Sequence, residues 1–76
     1  MSGRIVSLEK FRVDRLSDEI AGQLEANDNS VCRLTANVAN IAEWRRAARV
    51  AGRRMGIQIR TGISRQRDKV WAVEGP

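Results

Sequence analysis

The chain has 76 residues, 42% of them apolar, and a net charge of +5 from fourteen basic and nine acidic side chains. This length limits it to one small domain, which buries only about 60% of its unfolded surface. Cys32 is the sole cysteine, which excludes an intrachain disulfide; with no histidine either, zinc lacks a donor set.

The charge is unevenly placed. Residues 1–44 carry five basic and seven acidic side chains, and residues 45–76 carry nine and two. A concentrated field attracts phosphate, whereas a diffuse one mainly keeps a protein soluble. A codon bias towards arginine would explain why twelve of the fourteen basic residues are Arg, but not their gathering in the second half. No apolar run has the length of a signal peptide or a membrane span. Glycine stands third rather than second, so the myristoylation pattern is absent. A cytoplasmic protein is expected.

Residues 1–13 fit neither the helical nor the strand period. They read as an amino-terminal arm or edge strand, and Arg4, Lys10 and Arg12 would let an arm reach a minor groove. A loosely ordered terminus with Phe11 tucked onto the core is the favoured reading. The compact domain is expected over residues 14–74.

From Asp14 to Asn27 the pattern is helical. Val13, Leu16, Ile20 and Leu24 form its stripe, and Asp14 or Ser17 supplies a cap. Its other faces are mostly acidic, which suits a support helix. The cluster Asn27-Asp28-Asn29-Ser30 is a turn. Val31 to Leu34 reads as a short strand or an extended lead-in. Val31 and Cys32 are expected in the core, since a nucleophilic cysteine would need a neighbouring base.

A long basic amphipathic helix is expected over residues 36–55, capped by Thr35 and stopped at Gly56. Leu34, Ile41, Trp44, Ala48, Ala51 and Met55 recur at three- and four-residue steps and face inward, with Trp44 as a core anchor. At about 100° per residue, Arg45, Arg46, Arg49 and Arg53 share a neighbouring arc. Gly52 marks an early end, a kink or a close approach of another backbone.

The period then changes to two. Ile57, Ile59, Thr61 and Ile63 alternate with Gln58, Arg60 and Gly62; a polar stretch, 64–69, follows, and Val70 to Val73 resume the strand pattern. An antiparallel hairpin is the simplest solution. The expected register pairs Ile59 with Val73 and Thr61 with Trp71, because a one-residue slip would set Glu74 opposite Ile59. Gly62 suits a bulge. Arg60 would point outward, and Arg65, Arg67 and Lys69 would crown the tip.

The whole is a small α+β domain with a support helix, a long basic helix and a carboxy-terminal hairpin. A helix followed by a basic two-stranded loop resembles the layout of a winged-helix protein, whose helix enters the major groove while the wing touches backbone. That resemblance implies a break ahead of the reader helix, at Asn37–Asn40 or at Gly52. The expected function is nucleic-acid binding, with DNA favoured over RNA, as a transcriptional regulator or an architectural protein. Arg45, Arg46, Arg49, Arg53, Arg60, Arg65, Arg67 and Lys69 would contact phosphate or guanine edges. Asn37, Asn40 and Gln66 are weaker candidates for reading bases. The rival is an adaptor or inhibitor docking on an acidic protein surface. An exposed Trp71, or arginines paired with Glu43, Asp68 or Glu74, would favour it. A homodimer would bury further apolar area, with its seam on the alanine side of the long helix or on an edge strand. No cofactor, membrane contact or catalysis is expected: carboxylates show no paired spacing and phosphate loops are absent.

Overall fold

A computed structural model describes residues 3–75, with side chains from position 10 onward. The order is α1 (Gly3–Ala26), β1 (Ser30–Leu34), a single 3-10 turn (Thr35–Asn37), α2 (Ile41–Met55), β2 (Ile59–Ile63) and β3 (Lys69–Glu74). The strands form one antiparallel sheet in the order β1-β3-β2. Both helices pack on one face of it. This is the α+β architecture expected, and its order is consistent with the winged-helix-like layout. The break ahead of the second helix is the 3-10 turn together with Val38–Asn40.

α1 starts at Gly3, so its described residues are helical where an arm or edge strand was expected. The core stripe of Val13, Ile20 and Leu24, all buried, belongs to the same helix and continues its period. Phe11 lies 57% exposed instead of tucking onto the core. Asp14 and Ser17 are interior positions rather than caps. Ser17 is fully buried, and its hydroxyl donates to the Asp14 carbonyl at 2.8 Å.

α2 is shorter than the expected 36–55. Its cap is Asn40, whose side chain accepts from the Glu43 amide, satisfying a donor the helix cannot. Thr35 has another task. Its amide donates to the Asp68 carbonyl and its hydroxyl to that of Arg67, both at 2.9 Å, so it anchors the hairpin tip. Leu34 therefore leaves the helical stripe and stands half-exposed on β1. Gly56, at φ 75°, stops α2 as expected.

The buried side of α2 is Trp44, Ala47, Ala48, Ala51 and Gly52. Four of these five are small, so the sheet comes close. At Gly52 a Cβ would lie 2.3 Å from Ile59 Cγ1 and 3.1 Å from the Ile57 carbonyl oxygen, which identifies the reason for that glycine.

This thin contact also sets the hairpin register. Ile59 pairs with Glu74, Thr61 with Ala72, Gly62 with Trp71 and Ile63 with Val70, one residue from the expected pairing. The narrow space beneath the sheet takes Val70 and Ala72, both fully buried, and leaves no room for a second indole beside that of Trp44. Trp71 lies on the other face, across Gly62, where a Cβ would meet its Cζ2 at 2.5 Å. Gly62 thus serves close packing in regular pairing, not a bulge. Glu74 is tolerated opposite Ile59 because it sits at the exposed sheet end, held by the Asn29 side-chain amide at 2.9 Å. Cys32 shares the open face with Trp71, so it is exposed and not a core residue.

Candidate nucleic-acid interface

Five arginines lie on α2: Arg45, Arg46, Arg49, Arg53 and Arg54. Arg46, Arg49 and Arg53 project from the side opposite the buried alanines, and all three are exposed. With Ala42 they recur at steps of four, three and four, one outward line along the helix. From Arg46 to Arg53 that line is about 10 Å long, at about 1.5 Å rise per residue. Its small end at Ala42 lets the helix axis approach whatever the arginines meet.

Arg45 stands apart from them. It turns to the β2 flank, where its Nη2 donates to the Thr61 carbonyl at 3.2 Å, and its Nε is buried without a hydrogen-bond partner. Arg54 takes the α1 flank. Its Nη1 lies 2.7 Å from Asp18 Oδ1 and donates to the buried Ser17 hydroxyl at 2.8 Å. These two arginines fasten α2 to its neighbours.

The second basic group is at the hairpin tip. The Ser64 carbonyl accepts from the Arg67 amide at 2.9 Å, closing a tight turn with Arg65 and Gln66 at its corners. Ser64 Oγ donates to Asp68 Oδ1 at 2.7 Å and accepts from the Lys69 amide at 3.1 Å. The Ser64–Asp68 bond holds the Asp68 carboxyl below its ordinary value of 3.8 against the opposing effect of burial, with its own backbone amide and the Lys69 charge assisting. Arg65, Arg67 and Lys69 are exposed. Arg67 adopts a left-handed backbone, φ 62°.

Ile59 lies by Gly52 and Thr61 by Arg45, so β2 runs back along α2 and carries the tip past its amino-terminal half. The tip is tied to Thr35, ahead of the Asn40 cap. Six residues of extended chain separate the level of Ile59 from Arg65, about 20 Å. Arg60 is also exposed, but it pairs with Val73 on the sheet face turned away from the helices. Of the eight expected residues, then, three share the helix face and three the tip, while Arg45 and Arg60 go elsewhere.

Three acids of this half of the fold have partners outside the exposed basic residues Arg49, Arg53, Arg65, Arg67 and Lys69. Glu43 meets Arg12 at 3.4 Å, Asp68 accepts from Ser64, and Glu74 accepts from Asn29. Arg12, Arg33 and Arg54 are held in ion pairs, and none of these pairs takes in Arg49, Arg53, Arg65, Arg67 or Lys69. A groove of about 210 Å³ lined by Arg49, Arg53, Ile57, Gln58 and Ile59 borders the arginine line. Among the described residues no cluster of His, Cys, Asp and Glu could hold a metal ion, and no helix is long and apolar enough to cross a membrane.

Arg33 and Arg54 link elements that are distant in the sequence. Arg33 pairs with Glu19 of α1, a partner fourteen positions away that no local pattern reveals. Comparison with protein-family models, curated proteins and solved structures gave no match.

Proposed function

We propose that this protein binds nucleic acid, duplex DNA in preference to RNA, with the outward arginines of α2 as the principal contact and the hairpin tip as a second. The observation carrying this reading is that Arg46, Arg49 and Arg53 line up on the side of α2 away from its core. The ion pairs that hold Arg12, Arg33 and Arg54 do not take in Arg49 or Arg53. Guanidinium groups in a row can meet phosphates or guanine edges through charge-assisted, bidentate bonds. The line from Arg46 to Arg53, about 10 Å long, spans about three base pairs of a duplex at about 3.4 Å per pair, and the tip would add a second contact. Such a protein would act as a transcriptional regulator or an architectural component, and its site of action would be the cytoplasm.

A polarisation titration against random duplex and single-stranded DNA at two salt concentrations tests this. Binding should be micromolar or tighter at low salt and fall steeply as salt rises, since each neutralised phosphate releases counterion. Arg49→Ala and Arg53→Ala should each lower the salt slope by about 1 while leaving stability within about 0.5 kcal/mol. Absence of a shift at low salt would overturn the reading in favour of docking on an acidic protein surface.

A further inference from the structure

We propose that the outward face of α1 is a self-association surface, through which two copies of this chain pack with their α1 helices antiparallel. The claim does not rest on the nucleic-acid reading. Phe11, Arg15, Asp18, Gly22 and Glu25 recur at steps of four, three, four and three, the spacing of a helix–helix seam. They lie opposite the buried Val13, Ser17, Ile20 and Leu24, and every one is exposed.

Four of the five members of this seam meet one another under one two-fold axis. An axis passing between residues 16 and 17 sets Phe11 of one copy against Gly22 of the other, and Arg15 against Asp18, twice over. Phe11 is 57% exposed, with the Arg15 guanidinium 5.8 Å from its ring centroid. Gly22 has nothing within 4 Å of where a Cβ would stand. A glycine in mid-helix facing open space weakens the helix for no gain within the monomer. Against a second helix the same glycine is a recess that admits a phenyl ring. The Asp18 side chain remains 63% exposed beside Arg54, so one carboxylate can bridge Arg54 of its own chain and Arg15 of the other.

The charges choose the direction. Residues 10–15 hold Lys10, Arg12 and Arg15 against Asp14 alone, and the rest of α1, to Ala26, holds Asp18, Glu19 and Glu25 with no base; setting aside Arg12 and Glu19, which pair within the chain with Glu43 and Arg33, leaves the same opposition. Antiparallel packing sets the basic half of each helix against the acidic half of the other, whereas parallel packing sets like against like. The alanine side of α2, the seam expected from sequence, is fully buried inside the monomer and is not open to a second copy.

Sedimentation equilibrium of the full chain from about 1 to about 500 μM, a range bracketing weak and tight homodimers, tests the proposal. The wild-type chain should form a dimer within that range. Arg15→Glu and Gly22→Gln should each weaken the dimer at least about tenfold. The second variant also guards against misfolding: glutamine favours helix over glycine and has open space in the monomer, so its melting temperature should not fall when measured where both chains are monomeric. A wild-type chain that stays monomeric throughout, or a dimer that both substitutions leave intact, would overturn the proposal. The intact dimer would point to the exposed edge of β1.

Discussion

Arg54 and Arg49 stand five residues apart on one helix and are used in opposite ways. Arg54 reaches across to α1 and ends on a buried hydroxyl and a carboxylate. Arg49 points away from the core and is not among the residues forming ion pairs. The same side chain, with the same charge, is a strut in one place and a free contact in the other. Helical position decides which, because it determines what lies within reach of the guanidinium. The lesson is that a count of arginines overstates a binding surface until those employed in holding the fold have been removed.

The sharpest test of this division is to remove the struts. Arg54→Ala leaves Ser17 buried without its charged donor and should cost about 1–2 kcal/mol, most of it from the hydroxyl bond and little from the exposed Asp18 pair. For a chain this short each kcal/mol lowers the melting temperature by about 4–8 °C. Arg45→Met should behave differently from both. It keeps the packed stem, and the loss of the 3.2 Å bond to the Thr61 carbonyl is offset by removal of a buried Nε that has no partner, so stability should stay within about 1 kcal/mol of wild type. Neither change should reduce DNA affinity as much as Arg49→Ala. If Arg45→Met weakened binding more than Arg49→Ala, the strut would have a second task and the boundary between the two sets would move.

Much of this was legible in the sequence, and the failures share one cause. The inward stripe of α2, the role of Trp44, the stop at Gly56 and the existence of the hairpin all follow from local periodicity. The register does not, because the pattern at 70–73 fits either face. What decided it was the width of the gap beneath the sheet, fixed by Ala47, Ala48, Ala51 and Gly52 on another element. The large residue then took the open side, and Cys32 and Leu34 went out with it. Thr35 was misread for a similar reason: its hydroxyl serves a loop more than thirty residues away. In the candidate site, Arg46, Arg49 and Arg53 were recognisable from spacing alone. Separating Arg45 from them required knowing where β2 would return.

The tip supplies a finer comparison, between shape and charge. A left-handed backbone costs a residue with a side chain about 1–2 kcal/mol, and Arg67 bears it at φ 62°. Arg67→Gly removes that strain but gains freedom in the unfolded chain, so a net stabilisation of up to about 1 kcal/mol is expected. A higher denaturant midpoint at unchanged slope would register it. The same variant should bind DNA with a salt slope shallower by about 1. A variant both less stable and equally tight in binding would mean that Arg67 shapes the turn and touches nothing outside it.

The smallest effect expected concerns Asp68, the lone acid among the basic residues of the tip. Ser64 Oγ donates to its carboxylate, so the folded protein holds this group below 3.8. A carboxyl depressed by folding adds stability that is present above 3.8 and is lost as pH falls through its folded value. The loss should therefore be confined to acid below about pH 4, and it should be slight because the group is exposed. In Ser64→Ala the carboxyl should titrate closer to 3.8, as side-chain carboxyl NMR would report. That substitution removes no basic group. Affinity for DNA should thus be kept if the turn is set by its backbone bonds, and should fall if the Ser64–Asp68 bond is what presents Arg65 and Arg67. A carboxyl that titrates identically in both proteins would remove this bond from the account of how the tip is built.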